Sequence, residues 1–203
     1  GHAAQHSESF YSMLAHIPGL KVVVPSDPYS VKGLLAAAIR DDDPVFVVND
    51  KKLINLTGFV PDEEYVIELG KGRYMRRGTD VTLVGMSYTT VVCQKAADQL
   101  AEIGIDAEVV DMMSLSPFDE DILIESVTKT NNVVIVDEDT PRASMSSEFA
   151  AIIADKAFDH LDAPVKRVTA PHAPVPYNRD LEQEFMPQPD DVVGTVKNLL
   201  VRE

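Results

Sequence analysis

The chain has 203 residues, 45% of them apolar and 25% charged, with a formal net charge of −15. That is the composition of a globular protein with one large or two small domains. The acidic balance disfavours phosphate backbones and anionic lipid as partners, and no apolar run reaches the ~20 residues of a membrane span, so no nucleic acid and no membrane are expected. Cys93 is the single cysteine. It excludes an intramolecular disulfide and a cysteine-based zinc site, and it fits a reducing compartment. Gly1-His2 is followed by polar residues rather than by the parts of a signal peptide, and no domain start is in view, so an upstream portion is expected to be missing.

Ser7–His16 reads as a helix, with Phe10, Leu14 and Ile17 on its inward face and Pro18-Gly19 at its end. Leu20–Val24 is a Val-rich run of the kind buried on both faces of a sheet. Asp27-Pro28 is an N-cap followed by proline at the first helical position. The helix it opens extends to about Arg40, with Val31, Leu34, Leu35 and Ala38 turned inward. Asp41-Asp42-Asp43-Pro44 breaks it, and Val45–Val48 is the next buried strand. Lys51–Gly72, with its glycines, Pro61 and acidic Asp62-Glu63-Glu64, reads as a linker with an extended piece at Tyr65–Leu69.

Alternation resumes from Arg73. Strands are expected at Val81–Met86, Ala107–Met112, Val133–Val136 and Val165–Val168. Helices are expected at Thr89–Ile103, from a Ser116-Pro117-Phe118-Asp119 cap to about Thr128, at Met145–Leu161, and from Pro189 to Val201. Repeated βα units of this length make a doubly wound, mainly parallel α/β sheet. The Pro171–Tyr177 loop is rich enough in proline to hold a cis bond.

No glycine pattern follows a strand and opens a helix as a phosphate loop or dinucleotide fingerprint must. There is no G-x-S-x-G elbow, and no histidine pair with zinc-hydrolase spacing. His6, just before a helix, can carry protons near neutral pH, although a lone histidine at a helix start more often makes a structural hydrogen bond. Ala38–Asp43 joins unpaired helix-end carbonyls to carboxylates, which suits a hard cation, against the plainer reading of a solvated acidic turn. Asp137-Glu138-Asp139 stands at a strand's carboxyl end, where α/β sheets place ligands, but by type it reads as a solvated turn.

One family shares a linked set of these pieces. They are Gln5-His6-Ser7, His16-x-Pro18-Gly19-Leu20-Lys21-Val22-Val23, Pro25-Ser26-x-Pro28, Lys32-Gly33-Leu34 and Ala38-Ile39-Arg40-Asp41, then Val60-Pro61-x-Glu63-Glu64-Tyr65, Leu69-Gly70-Lys71, Asp80-Val81-Thr82, Ser116-Pro117-x-Asp119 and Asp162-Ala163-Pro164-Val165-Lys166-Arg167-Val168. The chain resembles, over nearly its whole length, the beta subunit of the thiamine-diphosphate-dependent decarboxylase component of 2-oxo acid dehydrogenase complexes. Asp137-Glu138-Asp139-x-Pro141-Arg142 and Thr169-Ala170-Pro171-His172-x-Pro174 are most similar to acetoin dehydrogenase beta subunits, with pyruvate and branched-chain types close behind.

The resemblance implies the end of a pyrimidine-binding domain at 1–57, a linker at 58–72 and a transketolase C-terminal domain at 73–203. It implies that His6 is the catalytic histidine, near the cofactor's thiazolium and the incoming lipoyl group. It implies a monovalent cation, potassium, on backbone oxygens of Ala38, Ile39 and Asp43 and the Asp41 carboxylate. Thiamine diphosphate would be shared with an alpha subunit, which would also hold the diphosphate and its divalent metal. The further partners implied are a second beta subunit, completing a heterotetramer, and the subunit-binding domain of the acyltransferase core. The expected location is the cytoplasm, or the mitochondrial matrix in a eukaryote.

The glutamate that activates the aminopyrimidine lies upstream of Gly1 in the family, so this chain alone is expected to be inactive. Glu8 replaces a glutamine, Asn49 and Ile54 replace a glutamate and a tyrosine, Met113 stands for an arginine, and Ala143–Ser147 lacks the usual glycines. The alternatives are a non-catalytic dimerisation and docking module, and the C-terminal half of a transketolase-like enzyme.

Overall fold

A computed structural model describes residues 6–200. Two sheets form the framework. The smaller has the order β2-β1-β6, from β1 (Lys21–Val23), β2 (Val45–Val47) and β6 (Ser114–Ser116). The larger has the order β3-β5-β4-β7-β8, from β3 (Arg73–Arg76), β4 (Val81–Gly85), β5 (Ala107–Asp111), β7 (Val133–Asp137) and β8 (Lys166–Thr169). Strands β5, β4, β7 and β8 are parallel and β3 closes one edge antiparallel. The expected doubly wound α/β architecture is therefore present.

The period-2 alternation of β4 sorts its two faces. Val81 and Leu83 pack with Val92, Ala96 and Leu100 of α3 (Tyr88–Glu102) and with Val192, Val196 and Leu199 of α7 (Pro189–Leu200). Val84, with Val110 and Ile135, packs on the other side against Leu123 and Val127 of α4 (Glu120–Thr130) and Phe149 and Ile153 of α5 (Met145–Lys156). That second cluster also contains Tyr11, Val22 and Val24, so one apolar core is continuous from the small sheet to the large one. Among the described residues no helix is long and apolar enough to cross a membrane.

β6 is the strand that sequence pattern did not announce. Its residues lie between β5 and α4 in the chain, yet it pairs antiparallel with β1. Ser116 therefore ends a strand and does not cap a helix. The cap is Asp119, whose carboxylate accepts the Ile122 N–H at 3.3 Å. The Ser116–Pro117 bond is cis and no bond in the 171–177 loop is, contrary to the sequence expectation.

Several further expectations change. The first helix, α1, is confined to Tyr11–Ala15, and its buried residues are Tyr11 and Ser12, while Phe10 and Ile17 are exposed. Leu35 is exposed although it shares the helical spacing of buried Leu34. Phe46 in β2 is exposed as well, although the run reads as a strand buried on both faces. β3 and a short helix α6 (Arg179–Phe185) were not legible, and the helix expected to reach Leu161 ends at Lys156 before a single 3₁₀ turn.

The connection between the sheets is fastened to α2 (Pro28–Arg40). The Lys32 ammonium donates to the carbonyls of Pro61, Asp62 and Glu63 and lies 5.1 Å from the centre of the Tyr65 ring. Tyr65 stacks on Tyr29 at 4.6 Å. Gly33 is needed for this approach: a Cβ there would stand 2.6 Å from Ile67 and 2.9 Å from Tyr65.

The sheets are locked together by a buried ion cluster. Asp111, at the end of β5 and fully buried, accepts Arg73 Nε at 3.0 Å, Ser26 Oγ at 2.5 Å and Thr90 Oγ1 at 2.8 Å. Arg73 reaches on to Asp27 at 2.9 Å, the N-cap of α2. Burial pushes the Asp111 carboxyl up, opposed by Arg73, Ser26 and Thr90. Burial also pushes Asp27 up, but hydrogen bonds from Ser30 and the charge of Arg73 outweigh it, and Asp27 lies below its ordinary value. Arg73→Met strands the Asp111 charge and should cost about 3–5 kcal/mol in urea unfolding at neutral pH. Because a raised carboxyl is most stable protonated, the loss should shrink as pH falls toward about 4.

Candidate functional site

A cavity of about 280 Å³ opens where the carboxyl ends of both sheets converge. Val24 follows β1, Val48, Asn49 and Asp50 follow β2, Ser87 follows β4, and Glu138 and Asp139 follow β7; all line it. The segment from His6 to Tyr11 forms one wall, and Ala173, Val175, Phe185 and Met186 another. Open α/β sheets bind ligands at this edge because the strands stop there and the loops diverge. Ser87 holds a left-handed backbone, φ 50°, at this wall, a strain of the kind that collects at functional sites.

The lining is rich in acid. Among the described residues, Glu8, Asp50, Glu138, Asp139 and Glu182 are set against Lys51 and Lys52 with no arginine. Lys52 Nζ lies 5.0 Å over the Tyr88 ring. Burial, then the charge of Asp50, raises the Glu138 carboxyl well above the usual glutamate range, although Ser9 Oγ donates to it at 3.0 Å. Burial also raises Asp139, against donors from Ser12 and the Thr140 N–H.

Asp137, the last residue of β7, is fully buried and accepts the Tyr11 hydroxyl, the Ser146 N–H at 3.1 Å and the Asp139 N–H at 3.0 Å. Burial, then the neighbouring carboxylates, pushes the Tyr11 phenol up. Asp137-Glu138-Asp139 is thus no solvated turn, as its residue types suggested. Its first member is a buried anchor and its second lines the cavity.

His6 is exposed on the cavity wall, and the structure brings it to the same cavity as Asp50 and Glu138. Ala38, Ile39, Asp41 and Asp43 lie elsewhere, at the end of α2. There the Asp41 carboxylate receives Lys21 Nζ at 2.8 Å and the Asp43 N–H at 2.9 Å, and Lys21 also pairs with Asp43 at 3.0 Å. The Asp41 N–H closes on the Ala38 carbonyl at 3.4 Å. The Asp41 carboxylate is therefore already engaged by Lys21 and by the chain's own backbone. Among the described residues no three His, Cys, Asp or Glu side chains converge as a metal cluster.

Tyr11 and Asp50 escaped sequence reasoning, and Glu138, though noted at a strand's carboxyl end, reads in sequence as part of a solvated turn. The available signal was position: each follows or faces a strand's carboxyl end. Cys93 is buried and its thiol is pushed up by desolvation, so it offers no reactive group.

Comparison with known proteins places the chain. A family model for the transketolase C-terminal domain matches residues 70–192, and one for the transketolase pyrimidine binding domain matches residues 2–57. The chain belongs to the transketolase C-terminal domain family, with a pyrimidine-binding segment ahead of that domain. It is 52% identical over 198 residues to the beta subunit of acetoin:2,6-dichlorophenolindophenol oxidoreductase of Bacillus subtilis, covering 98% of this chain and 58% of that one. It is 42% identical to the pyruvate dehydrogenase E1 beta subunit of the same organism, covering 96% of this chain and 60% of that one. A solved split-gene transketolase, an inactive beta4 tetramer, superposes with a TM-score of 0.79 at 27% identity, covering 97% of this chain and 63% of that one. The chain thus spans about three-fifths of the length of these relatives.

A raised carboxyl draws stability away as pH climbs from the unfolded value, about 4.3 for glutamate, through the folded one. Glu138→Gln keeps an acceptor for Ser9 and removes that slope. The variant should match the parent's melting temperature near pH 4 and exceed it by a few degrees at pH 8, read by calorimetry.

Proposed function

We propose that the chain is part of the beta subunit of a thiamine-diphosphate-dependent acetoin or 2-oxo acid dehydrogenase component, acting with an alpha subunit and passing an acyl group to lipoamide. The observation that carries this reading is the placement of His6 beside an acid-rich cavity at the carboxyl edges, in a chain similar throughout to acetoin and pyruvate dehydrogenase beta subunits. Segments 1–57 and 73–203 are read as the two domains, joined by 58–72.

The lining fits one half of the cofactor. Carboxylates of Glu8, Asp50 and Asp139 favour a cationic ring, and Val24, Val48 and Phe10 give it apolar surface. The same carboxylates oppose a diphosphate, which suits a diphosphate and divalent metal held by the alpha subunit. When bound, thiamine diphosphate supplies the electron sink for breaking the carbon–carbon bond beside the substrate's carbonyl.

His6 acts from the wall. Its imidazole orients the lipoyl disulfide and gives a proton to the sulfur released as the acyl–sulfur bond forms. Burial and then Asp50, which is also its hydrogen-bond partner, push the Glu138 carboxyl up, so this part of the wall carries less negative charge than its two carboxyl groups suggest. Tyr11 and Ser9 hold the wall against β7. At the α2 corner a potassium-like ion on the Ala38, Ile39 and Asp43 backbone oxygens, beside Asp41, would fasten the helix end. A second beta subunit and the basic subunit-binding domain of an acyltransferase core complete the expected partners, and the cytoplasm, or a mitochondrial matrix, the expected location.

The test is reconstitution of the complete gene product carrying this chain with its alpha subunit. Dye reduction with acetoin, pyruvate and a branched-chain 2-oxo acid should require added thiamine diphosphate. His6→Ala should lower acyl transfer to lipoamide by about 10²–10⁴-fold while dye-linked cleavage falls less. Absence of thiamine-dependent turnover on all three substrates overturns the reading. Binding of the subunit-binding domain should weaken as salt is raised.

A further inference from the structure

The stretch that carries His6 has little regular structure of its own, and near the histidine Glu8 accepts the Val175 N–H at 3.3 Å. α1 has only five residues, below the length at which a helix sustains itself in water. The residues from Ser7 to Phe10 are in neither helix nor strand. Yet this stretch is tied, residue by residue, to a part of the chain more than a hundred residues away. Ser9 Oγ donates to Glu138 at 3.0 Å, Tyr11 Oη donates to Asp137, and Ser12 Oγ accepts the Met145 N–H at 3.1 Å.

The middle tie differs from its neighbours. Ser9 and Glu138 are only partly covered, whereas Tyr11 is 2% exposed and Asp137 fully buried. The Asp137 carboxylate is fixed from its own side by the N–H groups of Asp139 and Ser146, so it cannot follow Tyr11 if Tyr11 moves. The Tyr11 ring is seated in the main core cluster with Val22 and Val24. An oriented carboxylate accepting from a buried phenol fixes that side chain in distance and direction, which apolar packing alone does not.

We propose that Asp137 is a positioning residue for His6: by holding the Tyr11 hydroxyl it fixes the segment 6–12 against the end of β7 and so sets the histidine's place on the cavity wall. This rests on the reading of His6 given above, and it adds the residue pair that makes an exposed histidine on an irregular segment a fixed group. β7 then has two tasks at one carboxyl end: Asp137 points into the core and holds the wall, and Glu138 points into the cavity.

Tyr11→Phe removes the hydroxyl and keeps the ring, so the core remains filled. Two measurements follow. In the complete gene product carrying this chain, nuclear relaxation of a labelled His6 side chain should show it ordered in the parent and mobile on the nanosecond scale in Tyr11→Phe. In the assembled enzyme, Tyr11→Phe should lower kcat for acyl transfer to lipoamide by about 10–100-fold and leave the KM for the first substrate within about twofold. Val196→Ala, in the core on the opposite face of the large sheet, is the control for stability loss and should change neither. An ordered His6 in Tyr11→Phe, or equal mobility in the Val196→Ala control, overturns the proposal. The relaxation result stands whether or not the assembly turns over, so a failure of the functional reading is read separately.

Discussion

The contact on which the rest depends is the buried meeting of Arg73 with Asp111. Asp111 sits at the carboxyl end of β5 in the large sheet, and its oxygens are shared among Arg73, Ser26 and Thr90. Ser26 and Asp27 lead from the small sheet into α2, so a single guanidinium bridges β3, β5 and the cap of the helix that covers the first sheet. A charge with no exposure is tolerated only when every lone pair is met. Together with the shared apolar core and the pairing of β1 with β6, that requirement sets how the sheets sit relative to one another. The cavity lies where the ends of β1 and β2 meet the ends of β4 and β7.

The same logic governs the cavity's chemistry. Carboxyl groups crowd the wall, and they remain there at neutral pH because each is handled differently. Asp137 is met by three donors. Glu138 is held toward its protonated form by burial and by Asp50. Asp139 is pushed up by burial, against the donors Ser12 and the Thr140 N–H. One short segment thus provides a buried anchor and two carboxyl groups that burial raises against different partners, separated by environment rather than by residue type. The acidic surface inferred from net charge has a local counterpart here, and it is what favours a cationic ring over a phosphate.

The parallel strands were legible because their apolar runs are buried on both faces and bounded by turn residues, as in Val81–Gly85 and Val133–Asp137. α2 was legible because Asp27 and Pro28 mark its start unambiguously. What escaped was held by distant partners. β3 is an edge strand with a polar pattern, and Ser114–Ser116 is a strand only because β1 lies beside it. Phe10 and Tyr11 could equally have been the buried aromatic of α1. The hydroxyl of Tyr11 finds Asp137, a partner 126 positions away that no local window contains. For the same reason His6 was legible as a candidate, but the residues that fix it were not.

β6 also bears on how the molecule comes to exist. β1 and β2 are made early, but the strand that completes their sheet on the other side is residues 114–116. At ribosomal rates of 5–20 residues per second, β1 waits roughly 5–20 s for its neighbour to be synthesised. During that interval the Val22–Val24 edge has no native cover, and Arg73 emerges before the Asp111 carboxylate it must meet. The first third of the chain is therefore a dependent of the nascent second domain, and a ribosome stalled ahead of Ser114 would present an open, Val-rich strand edge to chaperones.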